Sequence, residues 1–173
     1  GEAQRLAERP NLDLGAARLM DIDGNGRLDL VQLSGSIKGF IERTAEGGWR
    51  PLQTFDQIPT VRFDDPNLRM IDLNGDGRAD LLLADDRLFR YHTSLAAEGW
   101  TDARYARKAD DERYGATVLF ASEGESLFLA DMTGDGLTDL VRVRNGSVCY
   151  WPNRGYGRFG ARVPMSGFSP QAD

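Results

Sequence analysis

Short apolar runs recur along this chain, separated by polar, glycine-bearing turns, and they recur in a fixed order. A first run (Arg18-Leu19-Met20, Leu68-Arg69-Met70-Ile71, Leu127-Phe128-Leu129-Ala130) leads into an Asp-rich loop. A second run leaves that loop: Leu30-Val31-Gln32-Leu33, Leu81-Leu82-Leu83-Ala84, Leu140-Val141-Arg142-Val143. Then come a tight turn (Ser34-Gly35, Asp85-Asp86, Asn145-Gly146) and a third run at 37–41, 88–92 and 148–151. A glycine turn follows, and a fourth stretch starts near Trp49, Trp100 or Phe159. Runs this short between turn residues predict strands, four per unit. No stretch keeps a capped helical period; the polar segment 106–113 reads as a long connection.

Four-stranded units of about 50 residues are the pattern of β-propeller blades. The prediction is therefore an all-β chain: a partial β-propeller of about three four-stranded antiparallel units, at 12–60, 61–115 and 116–168, in a single domain covering 1–173. A β-sandwich with decorated loops is the competing architecture, but sandwich strands rarely repeat in blocks of four with one loop always in the same place. Closed propellers use four to eight blades. Three make an open arc with two raw faces, expected to meet a neighbour or to self-associate. The chain starts at Gly1 without a methionine and is expected to be a piece of something longer.

The Asp-rich loops align residue by residue. Counting from the first aspartate, positions 1, 3, 5 and 9 are Asp21, Asp23, Asn25 and Asp29 in the first loop. They are Asp72, Asn74, Asp76 and Asp80 in the second, and Asp131, Thr133, Asp135 and Asp139 in the third. Positions 4 and 6 are glycine every time. Oxygen ligands on alternate residues of a tight loop converge on one centre, and position 7 (Arg27, Arg78, Leu137) can add a backbone carbonyl. Five or six oxygens, several of them anionic, suit calcium better than magnesium. These are not EF-hands, because position 12 is Gln32, Leu83 or Arg142 rather than glutamate, and a strand-type run follows position 9. Thr133 makes the third loop the weakest site. Asp-Gly and Asn-Gly also build turns without metal; three loops in register favour the ion.

Charge sharpens this picture. The net charge is −6, from 21 basic and 27 acidic residues. The three loops hold nine of the acids, so the other 18 face 21 basic residues and the whole acidic excess sits in the loops. Three calcium ions would neutralise the chain. Without a basic surplus, a nucleic-acid partner is not expected. No apolar run reaches the roughly 18 residues of a membrane span. One cysteine, Cys149, and one histidine, His92, exclude an internal disulfide and a Cys-rich zinc site and leave little for His-based catalysis. No enzyme is expected.

Three further signals carry less. Residues 155–160 match G-x-G-x-x-G, but Ala161-Arg162-Val163-Pro164 does not open the helix a dinucleotide loop needs. Asn145-Gly146-Ser147 is a glycosylation sequon, better explained as a hairpin turn. Trp49, Trp100 and Trp151 recur near strand ends and read as packing between units rather than as a sugar platform.

The repeats resemble FG-GAP/VCBS repeats, the calcium-loop blades of integrin-α-type propellers. From Leu129 to Val141, through Asn145-Gly146, into Cys149-Tyr150-Trp151-Pro152-Asn153 and on to Gly160, the chain is similar to the middle/N-terminal region of the B component of Tc insecticidal toxin complexes. Gly39-Phe40-Ile41-Glu42-Arg43 and Gly48-Trp49 fit that region too; Arg154 departs from the apolar residue expected there. The resemblance implies a non-catalytic scaffold and docking module of a secreted bacterial toxin complex. Its partners would be the rest of the B component, the pore-forming A component and the C component. An adhesin module binding carbohydrate or a cell surface through the same repeats is the alternative.

Overall fold

The computed structural model describes residues 17–123 and 126–165; the outer ends of the expected first and third units, 12–16 and 166–168, lie outside the described residues. Twelve strands form three four-stranded sheets among the described residues. The first sheet is β1 (Ala17–Met20), β2 (Asp29–Gln32), β3 (Gly39–Ile41) and β4 (Gln53–Thr54). The second is β5 (Leu68–Ile71), β6 (Asp80–Ala84), β7 (Leu88–His92) and β8 (Arg104–Arg107). The third is β9 (Ser126–Ala130), β10 (Asp139–Arg144), β11 (Ser147–Trp151) and β12 (Val163–Met165). Each strand pairs antiparallel with the next in sequence, so every sheet is a meander. The only helical element among the described residues is one 3-10 turn at Ala96–Glu98.

The register shows that the repeats are structural. Leu30, Leu81 and Leu140 hold one position, opposite Ile41, His92 and Trp151 on the third strand of each sheet. All five residues of β6 are buried, and strand alternation sends them to two cores. Leu81 and Leu83 join Ile22, Val31, Leu33, Phe40, Phe55 and Trp100, between the first and second sheets. Leu82 and Ala84 join Phe89, Tyr91, Leu140, Cys149 and Trp151, between the second and third. The second sheet is thus packed on both faces.

Aromatic rings fill the first of these layers. Phe40 and Phe55 lie 5.1 Å apart, Phe55 and Trp100 5.2 Å, Phe63 and Trp100 6.2 Å, all tilted. Such pairs add about 0.5–1.5 kcal/mol each beyond the area they bury. Trp100 donates its indole N–H to the Ala79 carbonyl at 3.0 Å, and Trp151 donates to the Glu112 carbonyl at 2.8 Å.

The fourth strands start later than the sequence indicates. Trp49, Trp100 and Phe159 make isolated bridges to Arg43, Ser94 and Asn153, and the strands begin after them. The connection after β8 is not a bare linker: Ala116, Val118 and Phe120 enter the second core. Lys108 anchors it, donating from its buried ammonium to the Val118 carbonyl at 2.7 Å, with the nitrogen 4.6 Å from the Phe89 ring centre.

Candidate metal centre

Each Asp-rich loop joins the first two strands of its sheet. Positions 4 and 6 take positive φ, from +75° to +87° across the six glycines, a region open to glycine at little cost. That curl turns backbone N–H groups inward onto the position-1 carboxylate. Asp21 accepts from Gly24 at 2.9 Å and Gly26 at 2.7 Å, Asp72 from Gly75 at 2.7 Å and Gly77 at 2.8 Å, Asp131 from Gly134 at 2.7 Å and Gly136 at 3.0 Å. The Gly136 amide above all, with Gly134 assisting, holds Asp131 below the usual carboxylate range. Position 5 caps its own turn: Asn25, Asp76 and Asp135 accept from the N–H of Arg27, Arg78 and Leu137.

Position 9 does a different job. Asp29, Asp80 and Asp139 are all fully buried. One oxygen of each accepts an amide from inside the loop, from Ile22, Leu73, or Met132 and Thr133. The other accepts an amide from the far end of the third strand: Arg43 at 2.8 Å, Ser94 at 2.6 Å and Asn153 at 2.8 Å. Each of those partners lies 22 residues after its loop's first aspartate. The carboxylate is a brace tying the loop to the end of the third strand beside it. The constant spacing was available in the sequence as the signal for this pairing.

The loops differ in what they offer a cation. In the first, Asp21, Asp23 and Asp29 each bring a carboxylate oxygen within 4.8 Å of the others. The Arg27 side chain is turned away, donating to the Arg43 carbonyl. In the second, the Arg78 guanidinium sits 2.6 Å from Asp76, and Asn74 donates its amide to the same oxygen. Burial would raise the Asp76 carboxyl, but these hydrogen bonds win and hold it below its ordinary value. Asp80 goes the other way: burial pushes it up to about 6, helped by the charges of Asp76 and Asp72 and opposed by the Ser94 and Leu73 amides. In the third, Thr133 supplies a hydroxyl 3.5 Å from Asp131 in place of a carboxylate, and Asp131 and Asp135 are exposed.

The loops are neighbours. A side chain at Gly24 would meet Arg78, and one at Gly75 would meet Leu137, so position 4 of one loop faces position 7 of the next. A cavity of about 410 Å³ beside them is lined by Met20, Asp21, Asp72, Arg78, Leu129 and Thr138, residues of all three sheets.

Elsewhere, His92 is buried and donates from Nδ1 to the Thr101 carbonyl at 2.8 Å; burial lowers its pKa. Trp100 and Trp151 are buried and do not form a row with Trp49 on the surface. Asn145 and Gly146 both take positive φ between β10 and β11, as a tight hairpin needs. No helix among the described residues is long and apolar enough to cross a membrane.

The chain matches no family model and no curated protein sequence. A solved structure decides the comparison. Over 99% of its length this chain is similar to a chain of the Photorhabdus luminescens Tc holotoxin pore, with 28% identity and a TM-score of 0.84. It spans 8% of that neighbour's length. A lectin of Agrocybe aegerita, described for its recognition of non-reducing terminal N-acetylglucosamine, matches 88% of the chain with 19% identity and a TM-score of 0.53, covering 38% of the lectin; this likeness is one of fold.

Proposed function

We propose that this chain is part of a β-propeller in the B component of a secreted bacterial Tc-type toxin complex. It acts there as a non-catalytic scaffold and docking module, with each four-stranded sheet serving as one blade. The observation that carries this reading is the whole-length similarity to a Tc holotoxin chain at 28% identity. The end faces agree with it. Phe128 and Val143 lie on the face of the third sheet turned away from its core and are exposed, as is Leu19 on the outer face of the first. Further blades of the parent chain would cover both faces. The partners are then the rest of the B component, the A component that forms the pore, and the C component. The test is to mix the full-length parent with its A component, with and without this region. Undiminished complex formation after the deletion would count against docking.

The same proposal gives calcium to the loops, as a stabiliser of each blade. The first loop fits best, since its three carboxylates already converge. Asp21, Asp23 and Asp29 would hold the ion with Asn25 and the Arg27 carbonyl. The second would use Asp72, Asn74, Asp76, Arg78 and Asp80 once Arg78 lets go of Asp76. The third has Asp131, Thr133, Asp135, Leu137 and Asp139. Affinities of extracellular modules, about 10⁻⁴–10⁻³ M, are expected. Melting curves that coincide in calcium and in chelator would remove the ion and leave the blade reading standing. Trp100 and Trp151 are spent in packing, which weighs against the adhesin alternative, and a glycan array tests it.

A further inference from the structure

β10 carries Arg142 and Arg144 two residues apart, on one side of the strand. Arg142 is 8% exposed. It donates to Glu112 at 2.7 Å, and its guanidinium lies 4.8 Å from the Trp151 ring centre, so its plane is fixed. Arg162, just before β12, donates to the other oxygen of the same carboxylate. Glu112 therefore clamps two guanidinium groups, one from β10 and one from the segment leading into β12, into one wall, and its pKa is held down, first by the Arg142 hydrogen bond.

A cavity of about 350 Å³ opens on that wall. Arg142, Arg144 and Arg162 line it, with Ser147, Cys149 and Pro164. No carboxylate lines it among the described residues. Arg144 is exposed and makes no ion pair with any described residue. The lining is thus rich in hydrogen-bond donors. Guanidinium forks match the oxygens of a carboxylate or phosphate in pairs, and like charges gathered in a cleft focus a field that draws anions in.

We propose that this cavity is a binding site for a small oxyanion, a phosphate- or carboxylate-bearing group held by Arg144 and Arg162 with Ser147. Arg142 and Glu112 are positioning residues that hold the wall in shape. The volume is at the small end of ligand pockets, about 300–1,000 Å³, which suits one acidic group rather than an extended ligand. The site is independent of the loops and of the toxin assignment.

The test is thermal unfolding and calorimetric titration of the 173-residue chain, with chelator present and ionic strength held constant with chloride. The probes are inorganic phosphate and, separately, glutarate. Saturable binding of at least one probe is expected, with a matching rise in melting temperature. Arg144→Gln, an exposed change, should melt like the parent without ligand and bind at least tenfold more weakly. Arg158→Gln, exposed and outside the cavity, should bind like the parent. The ratio of phosphate to glutarate affinity then names the preferred group. No saturable binding of either probe beyond the chloride reference, or an Arg144→Gln chain that binds as the parent does, overturns the site.

Discussion

The brace at position 9 can be tested where the metal question weighs least, in the third loop. Replacing Asp139 with alanine removes the acceptor of three backbone amides: Asn153 at 2.8 Å, Met132 at 2.9 Å and Thr133 at 3.2 Å. The Asn153 amide is buried, and leaving it unpaired costs about 1–3 kcal/mol. The two loop amides can turn to water, so each forfeits only the net value of its bond, about 0.5–1.5 kcal/mol. Together the loss is roughly 2–6 kcal/mol. For a chain of this size that is a fall in melting temperature of about 4–24 °C. Asp139→Asn keeps one acceptor oxygen, turns an NH₂ towards the remaining amides, and should lose about half as much. Urea unfolding followed by circular dichroism, once in calcium and once in chelator, measures both. The reasoning requires the same loss in either buffer, because the brace is made by amides and not by an ion. A loss below about 1 kcal/mol, or one that vanishes in chelator, would falsify it and return Asp139 to the role of a simple ligand.

Other changes follow from the same geometry. Burial draws the Lys108 ammonium down from 10.5 to about 8, against Asp85 and Asp86, so the folded chain holds fewer protons than the unfolded one across that window. Stability from this group is complete above about 10.5 and is lost as pH falls through about 8. The stability of the parent relative to Lys108→Met should therefore climb between pH 8 and 10, and a flat difference rejects the shift. Gly99 sits at φ +114°, and a side chain there would lie 1.9 Å from the Gln57 carbonyl oxygen. Gly99→Ala should break the Gln57–Trp100 backbone bond and cost about 3 kcal/mol or more, read by chemical unfolding. Arg78→Gln releases Asp76 and should enlarge the calcium-induced rise in melting temperature, and an unchanged rise would show that the guanidinium does not compete.

The first three strands of each sheet were legible because their apolar residues are local signals: β6 is a near-continuous hydrophobic run after Asp80, β10 carries Leu140, Val141 and Val143, and Asn145-Gly146 is a hairpin on sight. The fourth strands were legible in number but not in position, since they begin after the aromatics expected to open them. β4 is Gln53–Thr54, both exposed, with no alternation to read, and it exists because β3 offers it a partner. The loops were found by spacing, but spacing is silent on burial, so Asp29, Asp80 and Asp139 read as ligands like the rest when they are also buried acceptors. The alternation of Ala116, Val118 and Phe120 was visible and went unused, because those residues pack into a core without pairing in a sheet. The arginine cavity was out of reach: Glu112, Arg142 and Arg162 lie 30 and 20 residues apart, and only the folded chain brings them together.

The two-sided burial of β6 also bears on how this sequence can drift. On β2 and β10 part of the outer face stays open, at Leu30 and Val143, and has room there to accept a new shape. Each residue of β6 has a packed layer above or below it, and adjacent residues press on different layers. Enlarging Leu82 pushes towards the third sheet, enlarging Leu81 towards the first, and neither push can be relieved by shifting the strand without crowding the opposite side. In a saturation library, β6 should tolerate the narrowest set of side chains in the chain, and it should reject larger replacements more sharply than smaller ones.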